Sequence, residues 1–109
     1  MTVEGFRRLA LSLPDSLESS HQDHPDFRVS GKIFATLGYP DSKWGTIKLT
    51  ARQQAALVAS HPEIFEAVSG SWGLRGATNV QLRYATSKIL LPAIMQAWRN
   101  TASPRLLKK

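Results

Sequence analysis

Three features of this chain point to an α+β fold, an antiparallel sheet with helices packed on one face. The first is an amphipathic helical period at the N-terminus, where Phe6, Leu9, Ala10 and Leu13 share one stripe. The second is a change to period two between Leu17 and Leu49, which returns at Asn79–Tyr84. The third is a helical period near the C-terminus, over about Ser87 to Thr101. Half-buried antiparallel strands alternate in this way because one face meets the core and the other meets water.

Each element follows from local chemistry. Thr2 suits the N-cap of the first helix and Pro14 ends it, while Arg7 and Arg8 lie off its apolar stripe. In the strands, Phe27 and Val29 alternate with Arg28 and Ser30. Ile33, Ala35 and Leu37 alternate with Lys32, Phe34 and Thr36, and Ile47 and Leu49 with Trp44, Thr46 and Lys48. Ser30-Gly31 fits a two-residue hairpin turn, since glycine accepts positive φ without penalty. The stretch GYPDSKWG makes a longer loop before the next strand. Thr50 and Gln53 form a capping-box pattern for a second helix that stops at His61, before Pro62. IFEAV suits a short strand or a last helical turn, and GSWGLRGAT an irregular connection. In the last helix Leu91, Ile94, Met95 and Trp98 fall on one face, and Pro92 predicts a loose first turn or a later start. The tail SPRLLKK is expected to fray.

At 109 residues, with 42% hydrophobic content, no repeats and no long linker, the chain is expected to be a single domain, residues 1–109, with a packed core. The absence of cysteine excludes disulfides, thiolate metal sites and cysteine nucleophiles. It also suits a reducing, cytoplasmic location. No stretch approaches the ~18–20 apolar residues of a membrane span, so an unprocessed protein without a membrane association is expected.

Net charge is +6, unevenly placed. Residues 1–26 carry two arginines and five acids, a net −3; residues 27–109 carry twelve Lys/Arg and three acids, a net +9. Such asymmetry suits a polyanionic partner.

The motifs with catalytic potential do not hold up. Gly31-Lys32 lacks the glycine-rich run before it and the helix after it that a phosphate-binding loop requires, so it reads as a hairpin turn. His21, Asp23, His24 and Asp26 lie close together, but metal sites want more histidine or cysteine at fixed geometry; the segment reads as a solvated loop whose aspartates cap turns. Ser19, Ser20, His21 and Asp23 supply triad residue types crowded into one segment, whereas triads draw on separate segments. His61 ends a helix, a favourable place for an imidazole. No enzymatic activity, no metal and no cofactor are expected.

The alternation itself yields a stronger constellation. If Phe27, Val29, Ile33, Ala35, Leu37, Ile47, Leu49, Val80 and Leu82 face the helices, the opposite face shows Arg28, Lys32, Phe34, Thr36, Trp44, Thr46, Lys48, Gln81 and Arg83. That set is basic, free of acids and carries two aromatics, the combination that nucleic-acid-binding surfaces use to track a backbone and stack bases. The candidate contacts are Arg28, Lys32, Phe34, Lys43 on the loop, Trp44, Lys48 and Arg83.

The block HPDFRVSGKIFATL, the helix-opening KLT and the later SWGLRGATNVQL resemble the MmcQ/YjbR family of small bacterial proteins, over about residues 3 to 105. The resemblance implies an antiparallel sheet on helices in a frataxin-like (CyaY-like), double-wing arrangement, and a DNA-binding role. It carries no catalytic or binding residue over to this chain. The reading that results is a monomeric DNA-binding protein that uses an open basic-aromatic sheet face. The alternatives are a protein-interaction module anchored by Phe34 and Trp44, its partner unspecified, or a small-ligand binder by analogy with the frataxin-like shape.

Overall fold

The structure, a computed structural model, describes residues 1–108. The elements run α1 (Val3–Leu11), β1 (Leu17–His21), β2 (His24–Val29), β3 (Lys32–Leu37), β4 (Trp44–Lys48), α2 (Ala51–Ser60), β5 (Phe65–Ala67), α3 (Ser71–Leu74), β6 (Ala77–Gln81), α4 (Ser87–Thr101) and α5 (Pro104–Leu107). The strands form one sheet in the order β1-β2-β3-β4-β6-β5, every neighbouring pair antiparallel. The chain is thus α+β.

Two tight turns set the register of the first three strands. Gln22-Asp23 (φ 49° and 66°) and Ser30-Gly31 (φ 54° and 78°) both hold positive φ at two successive residues, which matches the right-handed twist of the strands they join. The first turn makes His21 to Asp26 part of a β1–β2 hairpin rather than a loop. β5, ambiguous in the sequence, is a short edge strand.

On the covered face, Phe27, Ala35, Leu37, Ile47, Val80 and Phe65 meet Phe6 and Ala10 of α1 and Leu90, Ala93, Ile94 and Ala97 of α4. Thr2 Oγ1 accepts from Gly5 N at 3.0 Å and starts α1. The Phe6 ring lies over Gly45, where an added Cβ would stand 2.7 Å from it. The capping box of α2 is complete: Thr50 Oγ1 accepts from Gln53 N at 3.1 Å and Gln53 Oε1 from Thr50 N at 2.9 Å.

Three local expectations are corrected. α4 is continuous from Ser87 through Pro92, which is exposed, because the Thr86 cap and the buried residues on both sides of the proline outweigh one lost backbone bond. Met95 of its expected inner face is exposed, and Leu90, Ala93 and Ala97 take the core side with Ile94. The tail forms α5, capped by Ser103 and tied down where Ser103 N donates to Ser30 Oγ at 2.9 Å.

The register carries a larger correction. Ala35 lies opposite Phe27 while Ile33 lies opposite Arg28, so β3 has one residue more than β2 at this point, and that residue is Phe34. Such a bulge reverses the facing of everything before it along the strand. Phe34 turns into the core, 0% exposed. Ile33 moves to the open face, partly buried. Lys32, opposite Val29, leaves the open face for the rim on the helix side.

Elsewhere the predicted alternation holds: Val29, Leu37, Ile47, Leu49, Val80 and Leu82 are buried and Lys48 is exposed. Ile47→Ala should therefore cost about 2–5 kcal/mol and Lys48→Ala less than about 0.5 kcal/mol, as read by urea unfolding.

Candidate functional site

The uncovered face of the sheet is not flat. The Tyr39-Pro40 stretch of the β3–β4 loop rises at one side and the segment Val68 to Trp72, with α3, at the other. Between them is a cleft of about 680 Å³ whose floor includes Ile33, Thr36, Thr46, Lys48 and Asn79. Thr46 Oγ1 donates to Asn79 Oδ1 at 3.0 Å across β4 and β6. His21 closes the β1 side.

Backbone constraints hold the Trp72 wall in place. Gly76 has φ +115°, and a Cβ there would collide with the Leu49 carbonyl oxygen; a Cβ on Gly73 would collide with that of Val68. Only glycine lets the α3 segment come this close to the end of β4. Gln54 Nε2, from α2, donates to the carbonyls of Gly73 and Ala77 at 3.0 and 2.8 Å and clamps the same segment. As a result Trp72 lies over Lys48, with Nζ 5.9 Å from the ring centroid, a cation–π distance. Trp72 is still 60% exposed and Tyr39, stacked on His24 at 4.3 Å, 43% exposed.

Beside the cleft is a buried charge cluster. Asp26 is 0% exposed, and a carboxylate is tolerated there only if its oxygens are paired. Arg28 Nε donates to Oδ1 at 2.8 Å and a second guanidinium nitrogen to Oδ2 at 3.0 Å, while His21 Nδ1 lies 2.8 Å from Oδ2. The Arg28 guanidinium, aided by His21, holds the Asp26 carboxyl below its ordinary range against the opposing effect of burial.

The predicted contacts therefore separate. Arg28, Trp44 and Lys48 stand on the open face, but the charge of Arg28 is engaged by Asp26. Phe34 is in the core and Lys32 on the helix-side rim. Lys43 and Arg83 lie beyond the sheet, near the point where Leu82 N donates to Lys43 O at 3.1 Å, because β6 ends at Gln81 rather than continuing to Tyr84. The face is not free of acids either: Asp26 lies opposite Thr36, and Glu66 opposite Asn79 on the edge strand.

His21, Asp26, Tyr39, Trp72 and Asn79 belong to the site and were absent from the predicted set. Asp26 was legible, since it stands two residues before Arg28 on one strand and so shares its face. Trp72 was not, because a one-turn helix in a glycine-rich segment has no period. Among the described residues no group of three or more His, Asp or Glu side chains is placed to hold a metal ion, and no helix is long and apolar enough to cross a membrane.

Comparison with known proteins bears on the fold and the family. No curated protein matches the chain significantly. Among solved structures, the crystal structure of Deinococcus radiodurans protein DR2400, which carries a DUF419 domain, is similar, with a TM-score of 0.72 and 18% identity over 89% of this chain and 75% of that one. At that identity the likeness is one of fold. The family model described as YjbR matches residues 11–100, and the chain belongs to the YjbR family.

Proposed function

We propose that this protein binds nucleic acid, DNA being the expected partner, through the open sheet face, and that it prefers single strands to duplex. The observation that carries this reading is the cleft itself: two aromatic residues with exposed surface, Trp72 and Tyr39, stand on its walls, Lys48 lies inside, and no acid lines it. Every base has a π-face, so rings beside a cation hold single strands with little regard to sequence. A duplex must unstack and unpair a base to fill a concave cleft, at a cost of about a few kcal/mol that a single strand avoids. Lys43 and Arg83, exposed just beyond the sheet where Leu82 N donates to Lys43 O, supply two further cations. We also propose that the protein acts as a cytoplasmic monomer, without catalysis or cofactor.

The protein-interaction alternative is weakened by the burial of Phe34, one of its two expected anchors. The two readings also differ in their response to salt. With about three phosphates neutralised, single-strand affinity should fall with a log–log slope near −2, and Lys48→Ala should reduce that slope by about 0.7. Trp72→Ala should weaken binding by about 1–3 kcal/mol at constant salt. Fluorescence titration of a labelled oligonucleotide at about 50 mM salt, where non-specific binding is strongest, measures all three. Absence of binding by micromolar protein at that salt would refute the nucleic-acid reading.

A further inference from the structure

We propose that the cleft is a pocket for one nucleotide, whose base carries an amino group that donates to His21 while its phosphate meets Lys48. This deepens the nucleic-acid reading and rests on it.

The hydrogen-bond pattern assigns the role of His21. Arg28 holds Asp26 as an ionised carboxylate through two bonds, and an ionised carboxylate only accepts. The contact of 2.8 Å between Asp26 Oδ2 and His21 Nδ1 is therefore made by an Nδ1–H donor. In the neutral ring the lone pair is then on Nε2, at the ring edge turned away from Asp26. His21 lines the cleft with its side chain 38% exposed, so a neutral ring held in this tautomer has Nε2 as the acceptor it can offer to an N–H or O–H of an occupant. Asp26 and Arg28 act as positioning residues that fix the tautomer, much as outer partners orient histidines elsewhere.

The rest of the lining selects the other parts of the ligand. Lys48 is the only Lys or Arg among the lining residues and no lining residue is acidic, which complements one anionic group. Trp72 and Tyr39 offer ring faces to a planar body. His21 on β1 and Lys48 on β4 are three strand spacings apart across the sheet, about 14 Å, and the pairing staggers them by four residues along it, about 13 Å, so their backbones are about 19 Å apart. Inorganic phosphate is too compact to use both ends, whereas a base with its sugar and phosphate is extended. The volume of about 680 Å³ falls in the ordinary range for small-molecule pockets, about 300–1,000 Å³.

The test uses the full chain and two probes, adenosine 5′-monophosphate and purine riboside 5′-monophosphate, which differ by the amino group alone. Calorimetric or fluorescence titration should show the amino nucleotide binding about tenfold more tightly, the loss expected for one buried hydrogen bond left unmade. In His21→Phe, which keeps a flat ring and removes the acceptor, the two probes should bind alike. Equal binding of both probes to the unaltered protein would overturn the proposal, and this arm needs no variant to fold. Single-strand binding without any mononucleotide binding at millimolar concentration would overturn the pocket and leave the nucleic-acid reading intact. Mononucleotide discrimination without single-strand binding would support the pocket and refute that reading.

Discussion

Phe34→Ala should lower the unfolding free energy by about 3–5 kcal/mol, the range for a large aromatic removed from a core that cannot close over the gap. The ring is wholly buried with Phe27, Phe6 and Val29 around the covered face of the sheet. Trp44, which uninterrupted alternation along the strands would make its companion on the open face, is only partly buried. Trp44→Ala should therefore cost clearly less than Phe34→Ala. Urea unfolding followed by circular dichroism compares the two midpoints, with an unchanged slope showing that the same surface is exposed. A cost for Phe34→Ala of less than about 1 kcal/mol, the scale of a surface substitution, would remove the bulge from β3 and restore an unbroken alternation.

Arg28→Ala is the second large effect, about 3–5 kcal/mol, because it strands the wholly buried Asp26 carboxylate with only His21 beside it. Asp26→Ala should cost less, since the Arg28 guanidinium it leaves behind is a third exposed and can turn to water. The pH dependence has a definite sign. The folded carboxyl titrates below its ordinary value of 3.8, chiefly because Arg28 donates to it. The unfolded chain thus takes up the proton first as pH falls, so the stability from this group is present above 3.8 and is lost as acid protonates the folded form. Thermal unfolding measured from neutral pH down to about pH 3 should show a smaller decline in Asp26→Asn than in the unaltered protein. Parallel declines would mean that Asp26 carries no such linkage.

These two residues also mark what could be read from the chain and what could not. The capped starts of α1 and α2, the Ser30-Gly31 turn, the C-terminal end of α4 and the burial of Val29, Leu37, Ile47 and Val80 were legible because each depends on residues close in sequence. The facing of Phe34 depends on a one-residue mismatch between two strands. Its only trace in the sequence is the unbroken apolar triplet Ile33-Phe34-Ala35. Asp26 reads as a turn residue because its neighbours His24 and Asp23 are polar, and only its place two residues before Arg28 on one strand hints that the guanidinium shares its face. The cleft was hidden for a third reason. Its walls come from the β3–β4 loop and from α3, segments separated by some thirty residues and brought together only by the close approach at Gly73 and Gly76. The basic-aromatic character predicted for the open face survives in Lys48 and Trp44, but the most exposed ring is Trp72, on the cleft wall above Lys48.

Amide and indole chemical-shift mapping with a short single-stranded oligonucleotide tests most directly whether this face is the binding surface. Binding in the cleft should concentrate the changes on His21, Thr36, Thr46, Asn79 and the Trp72 indole. Changes centred on α1 or the exposed side of α4, with the cleft signals unmoved, would contradict it.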